Sequence, residues 1–159
     1  MSQSGVHVVL VEPEIPGNTG NVGRTCLATR STLHLVGRMG FSLDDKYLLR
    51  SGLDYWHQVD LRIHKNWLEF CSSVEEGATF HFFEKDGKKS FWQAEFRPPA
   101  YLIFGSETSG FSYDIISEYG AQFVKIPMTG PARSLNLSSS AAVAVYEALR
   151  QFSHIPAGR

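Results

Sequence analysis

With 159 residues, 43% of them apolar and 19% charged, the chain has the size and composition of one soluble globular domain with a sizeable core. Its net charge of −1 excludes a protein that holds nucleic acid by bulk charge, while a local basic patch stays open: Arg24, Arg30, Arg38, Lys46, Arg50, Arg62, His64 and Lys65 all fall in the first 65 residues. No apolar stretch approaches the roughly 18 residues of a membrane span, and MSQSGVHVVLVEPE lacks the regions of a signal peptide, which predicts a cytoplasmic protein with no membrane partner.

VHVVLV (6–11), a β-branched apolar run, reads as a buried strand. EPEIPGNTG (12–20) reads as a turn and 21–31 as a helix. LHLVG (33–37) is a second strand, DDKYLLRSG (44–52) a short helix stopped by Gly52, and HQVDLRIH (57–64) alternates like a half-exposed strand. Asn66 and Glu69 make a capping-box pattern ahead of a helix in NWLEFCSSV. TFHFFE (79–84), YLIFG (101–105) and QFVKIP (122–127) are further strands, with a helix over SYDIISEYG (112–120). EKDGKKSFWQAEFRPP (84–99) is the one long irregular stretch, of a length often used for binding loops. A helix from Ser138 to Phe152 closes the chain. Alternating strands and helices, with most strands apolar throughout, predict an α/β fold whose mostly parallel sheet is covered by helices on both faces.

The last helix has two apolar sides. Leu137, Ala141, Val145, Leu149 and Phe152 form one stripe, and Ala142, Val143 and Tyr146 a second. The sheet can cover one; a second subunit is the natural cover for the other. Cys26 and Cys71 show no CxxC spacing and the six histidines no HExxH spacing, so no metal site is expected.

Three strand-to-helix loops could converge where open α/β sheets bind ligands. PGNTGNVGR (16–24) spaces its glycines GxxGxxG rather than GxGxxG, and there is no GxxxxGK[ST]. It still offers Asn18, backbone amides and Arg24 at a helix N-terminus, a setting that suits an anion, although Asn18 could equally be a simple cap. FGSETSG (104–110) brackets Ser, Glu, Thr and Ser between glycines. IPMTGPARSLNLSSS carries Ser134 and Asn136 in a loop of turn formers; Asn136 could also cap the last helix.

NTGNVGR, FGSETSG and IPMTGPARSLNLSSSAAVAVYE, in this order, resemble the three motifs of the SpoU branch of the SPOUT RNA methyltransferases. VEPEIPGNTGNVGRTC, LHLVGRMGFSLDDKYLLRSGLDY and RSLNLSSSAAVAVYEALRQ are similar to its compact members that 2′-O-methylate the wobble pyrimidine, nucleotide 34, of certain tRNA-Leu species. The resemblance covers about Val6 to Gln151.

It implies a deep C-terminal trefoil knot, S-adenosylmethionine as cofactor with no metal, a homodimer, tRNA bound by its anticodon stem-loop, and no DNA partner. By matching position it implies cofactor contacts from Phe83, Gly105, Ile126 and Ser134, with Glu107 and Leu135 close by. Arg24 is implied near the reacting ribose, a position that family members often fill from the opposite subunit. Asn18, Ser134 and Asn136 would shape that pocket, and Tyr146 is implied in function or at the interface. A guanidinium is a poor proton acceptor, so Arg24 is expected to act by charge. Ser109 stands where close relatives usually carry Arg, and FFEKDGKK (82–89) replaces a more Thr-rich loop, so RNA choice can depart from theirs. Two other readings remain open: a SPOUT enzyme acting on another RNA, and a non-catalytic RNA-binding dimer.

Overall fold

All six residues of β1 (Val6–Val11) are buried, as a strand sandwiched on both faces must be. The computed structural model describes residues 2–51 and 55–153. β1 is followed by α1 (Pro16–Thr29), β2 (Thr32–Val36), α2 (Lys46–Ser51), β3 (Leu61–His64), α3 (Trp67–Ser73), β4 (Thr79–Phe83), β5 (Lys89–Ser90), β6 (Ala100–Phe104), α4 (Tyr113–Tyr119), β7 (Phe123–Lys125) and α5 (Leu137–Phe152). The sheet runs β3-β2-β1-β6-β4-β7-β5, and every pairing is parallel. Two late strands are thus inserted between earlier ones: β6 between β1 and β4, and β7 between β4 and β5.

Side chains alternate along each strand. Val6, Val8, Leu10, Leu102 and Phe104 pack with Val22 and Cys26 of α1 and Ala141, Ala144, Val145 and Ala148 of α5. Val9, Val11, Tyr101, Ile103 and Phe82 pack on the other side with Phe70 of α3 and Ile115 of α4. Both faces are covered, as the apolar runs predicted.

Four sequence expectations are corrected. Helix α1 begins at Pro16, five residues before the predicted start at 21, so NTGNVGR is helical rather than a loop. Pro16 suits the first helical position, and the glycines let neighbours approach. β3 covers only 61–64; residues 56–58 turn instead as a short 3₁₀ segment. β5 lies within the stretch read as irregular. The helix after Asn66 is capped as predicted at its Glu69 amide (2.8 Å), but the Glu69 carboxylate returns to the Lys65 N–H rather than to that of Asn66. The helix stop assigned to Gly52 lies outside the described residues.

Gly23 shows why α1 is glycine-rich: a Cβ there would lie 2.5 Å from Trp56 Cζ3. Gly23→Ala gains about 1 kcal/mol of helix propensity but overpacks this contact at a cost of about 1–3 kcal/mol. A net loss of stability is expected, read by urea denaturation; unchanged or higher stability would show that the indole moves aside freely.

Cys26 is fully buried, and burial pushes its thiol up to about 12, so it is an inert packing group. Cys71 is only half-buried, also with a raised pKa from burial.

Candidate cofactor and RNA site

A cleft of about 920 Å³ opens at the carboxyl ends of β1, β6, β4 and β7. Each strand contributes the segment that follows it. Ile15 and Asn18 come after β1, and Phe83 with Glu84–Lys88 from the end of β4. Residues 104–111 come from β6, and Ile126, Met128 and Ser134–Leu137 after β7.

The β6 segment is closed tightly by paired backbone bonds, Ser106 N–H to Gly110 O (3.1 Å) and Gly110 N–H to Ser106 O (2.9 Å). Gly105 makes this closure possible, since a Cβ there would stand 2.6 Å from the Gly110 carbonyl carbon.

Two glutamates cross-brace this segment to the start of α1. The Glu107 carboxylate accepts from the backbone N–H groups of Glu14 (2.9 Å) and Ile15 (2.8 Å) and from Asn18 Nδ2 (3.4 Å). The Glu14 carboxylate in turn accepts from Ser106 Oγ, from Thr108 N–H (3.1 Å) and from Thr108 Oγ1 (2.6 Å). These donors hold the Glu14 carboxyl below the usual carboxylate range, the Ser106 hydroxyl contributing most. The start of α1, read from the sequence as a seat for an external anion, is therefore braced by the protein's own Glu107.

Asn18 extends the brace to the third segment: its Oδ1 accepts from Asn136 Nδ2 (3.0 Å). Asn136 Oδ1 accepts from the Ser138 N–H (2.8 Å) and hydroxyl (2.6 Å), capping α5. The helix cap read from the sequence is thus realised, and the same residue also makes the contact to Asn18.

The structure thus brings Asn18, Phe83, Gly105, Glu107, Ile126, Ser134, Leu135 and Asn136 to one cleft. Arg24 and Tyr146 are not in its lining. Arg24 is exposed on α1, its guanidinium carbon 5.4 Å from the Tyr55 ring centre. Tyr146 is 57% exposed on α5. Met128 was not singled out from the sequence, Glu84–Lys88 only as part of the stretch 84–99 of binding-loop length, and Glu14, which braces the cleft from outside its lining, was missed. Glu14 left no signal in the sequence, because the donors to its carboxylate, Ser106 and Thr108, lie more than 90 residues away.

The cleft suits a nucleoside with an amino-acid tail. Its volume lies within the range of small-molecule sites, about 300–1,000 Å³. Leu135 (41% exposed) and Met128 (37%) offer uncovered apolar surface on its wall. Glu84 and Asp86 supply negative charge suited to a cationic centre, and Lys85 and Lys88 positive charge suited to a carboxylate. Among the described residues no group of three or more His, Cys, Asp or Glu could hold a metal, and no helix is long and apolar enough to cross a membrane.

Parallel strands, helices on both faces and a cleft at the strands' carboxyl ends beside an inserted strand define an α/β protein that holds a ligand at a topological switch point. The chain belongs to the SpoU rRNA Methylase family, whose model matches residues 5–146. A Bacillus subtilis (strain 168) protein provisionally named tRNA (cytidine(34)-2′-O)-methyltransferase is 46% identical over 154 residues, spanning 95% of this chain and 96% of its own. A solved structure described as giving insights into 2-OH methylation of C/U34 on tRNA superposes with a TM-score of 0.88 at 44% identity, covering 93% of this chain and 96% of that one. The SpoU methyltransferase AviRb from Streptomyces viridochromogenes, solved with AdoMet, shares the fold at a TM-score of 0.78 and 24% identity, over 96% of this chain and 62% of its own.

Proposed function

We propose that this protein transfers a methyl group from S-adenosylmethionine to the ribose 2′-oxygen of the wobble nucleotide, C34 or U34, of tRNA-Leu, recognised through the anticodon stem-loop. One observation carries this reading. The three motif segments, which are far apart in sequence, meet in a single hydrogen-bonded chain, Glu107–Asn18–Asn136, at one cleft. The names of the relatives point to nucleotide 34 of tRNA, while tRNA-Leu and the anticodon stem-loop rest on the resemblance.

The cofactor brings a methyl already activated on a sulfonium, so the protein's work is placement. Positioning of this kind can contribute about 7–11 kcal/mol in favourable cases. Phe83, Ile126 and Leu135 give the cofactor an apolar seat, while Gly105 and Ser134 expose backbone to its polar edges. Asn18 and Asn136 hold these walls at fixed separation. Arg24 supplies positive charge at the ribose and its phosphate; a guanidinium stays protonated, so it stabilises developing negative charge rather than taking the proton.

Arg24 and Tyr146 lie on the outer sides of α1 and α5, two helices packed against each other. Val143 (42% exposed) and Tyr146 (57%) leave apolar surface on α5 for a second copy. A homodimer built there would carry Arg24 to the partner's cleft. The knot implied by the resemblance is supported by the two inserted strands, β6 and β7. A protein of this activity works in the cytoplasm, where its tRNA is.

Labelled S-adenosylmethionine and undermodified tRNA-Leu should give label on the ribose of nucleotide 34. Arg24→Ala should lower turnover about 100-fold or more while keeping cofactor affinity. Label confined to bases, or to another RNA, would overturn the substrate assignment; full turnover in the variant would overturn the role of Arg24.

A further inference from the structure

The cleft accounts for the cofactor but leaves unexplained how a chain of net charge −1 holds a polyanion. The shoulder formed by α1 and α2 offers an answer. Asn18, on the cleft wall, and Arg24 share α1, about 9 Å apart along its axis. Trp56, seated on Gly23, sets Tyr55 beside Arg24. Helix α2 packs on α1 and is anchored by Leu48, which is fully buried.

The other side of α2 faces outward. Tyr47 is 52% exposed, with Lys46 Nζ 5.2 Å and Arg50 Cζ 5.7 Å from its ring centre. Among the described residues no carboxylate is ion-paired with Arg24, Lys46 or Arg50. The Asp45 carboxylate accepts from the backbone N–H of Tyr47 (2.8 Å) and so serves the start of the helix. Two cation–aromatic clusters therefore stand on this shoulder, one on α2 and one at Arg24–Tyr55.

Resting on the methyltransferase reading above, we propose that the α1–α2 shoulder is the docking surface for a single-stranded RNA loop, with Tyr47 stacking on an unpaired base and Lys46 and Arg50 meeting the flanking phosphates. The chemistry favours a loop over a duplex. An exposed aromatic ring can stack only on a base that is splayed out, while neighbouring cations track the backbone. The loop would then run past Arg24 and Tyr55 to place its target ribose at the partner's cleft, the one that Arg24 serves in the dimer.

The test is anisotropy of a labelled anticodon stem-loop RNA against the full chain at several salt concentrations, with a fully paired RNA as comparison. Lys46→Ala/Arg50→Ala should weaken loop binding about tenfold and reduce the salt slope by about 1.4, two single-strand phosphates at 0.7 each. Tyr47→Ala should weaken it at least fivefold and Tyr47→Phe should not, since the stacking face is kept. Calorimetry with S-adenosylhomocysteine should give wild-type affinity for all three variants, showing an intact fold. Wild-type binding of the loop with variants within twofold of it and an unchanged slope would overturn the shoulder alone. Equal losses on the fully paired RNA would overturn the single-stranded assignment. A wild-type protein that binds the nucleoside but no RNA would overturn the shoulder and the RNA substrate together.

Discussion

Replacing Glu107 by alanine is expected to lower stability by about 2–3 kcal/mol and to weaken cofactor binding about tenfold or more. Its carboxylate is the acceptor for three donors, two of them the backbone amides leading into α1. A hydrogen bond to an ionised group contributes about 1.5–3 kcal/mol. Simple addition would give more than the predicted loss, but Ile15 is 46% exposed, so water replaces part of what is removed. The functional loss exceeds what stability alone would cause, because Glu107 also orients Asn18, and Asn18 holds Asn136 on the far wall. Glu107→Gln keeps one oxygen acceptor but turns an N–H₂ toward backbone donors, so it should recover only part of either property. Urea denaturation and calorimetry with S-adenosylhomocysteine read both. An alanine variant with wild-type midpoint and wild-type affinity would show that the brace is decorative. Ser109→Ala, at an exposed position on the same segment, is the control for stability and should leave the urea midpoint unchanged.

The contrast between what the sequence disclosed and what it hid follows from the range of the interactions involved. β1, β2, β6 and α5 were readable because buried runs and i, i+4 stripes are local consequences of covered faces. The start of α1 was not. Its Pro and Gly residues are turn formers in isolation, and the groups that complete its N-terminus, Glu107 and the loop around it, lie about 90 residues away. β5 has two residues, and its pairing with β7 is the only thing that makes it a strand. The site shows the same division. Resemblance pointed to the cleft residues, whereas Glu14 escaped because its partners, Ser106 and Thr108, are visible only after folding. Such long-range polar bracing lets three irregular segments hold a defined shape without regular secondary structure between them.

Histidine behaves likewise. Residues 7, 34 and 64 look scattered, yet the parallel registers of β1, β2 and β3 stack them on one face of the sheet. His7 Nδ1 lies 2.9 Å from His34 Nε2, and His34 Nδ1 lies 2.9 Å from His64 Nε2. Glu75 Oε1 lies 2.9 Å from His7 Nε2 and can only accept there. His7 then donates through Nε2 and accepts at Nδ1, and the same sense passes through His34 to His64. Three neutral imidazoles, each protonated at Nε2, satisfy the whole chain, and a proton added to His34 would set two donors against each other.

Stability should therefore fall as pH drops below about 6.5. Burial is the main cause of the depressed pKa of His34, which lies at about 3, and the neighbouring His7, His64 and Arg62 lower it further while Asp60 opposes them. His7 and His64 are also shifted down, chiefly by burial, against the pull of Glu75 and Glu69 respectively. A group depressed in the folded state takes its proton first in the unfolded chain, so its contribution is complete above pH 6.5 and lost progressively toward pH 3. At 1.36 kcal/mol per pH unit, His34 alone should remove about 3 kcal/mol between pH 6.5 and 4. Urea denaturation across that window reads the slope. His34→Gln, which keeps a polar side chain of similar reach, should be less stable at pH 7.5 but should fall less steeply, by about one bound proton at mid-window. An identical slope in wild type and variant would mean that His34 is not the group that titrates, and that the buried chain of imidazoles admits a proton without breaking.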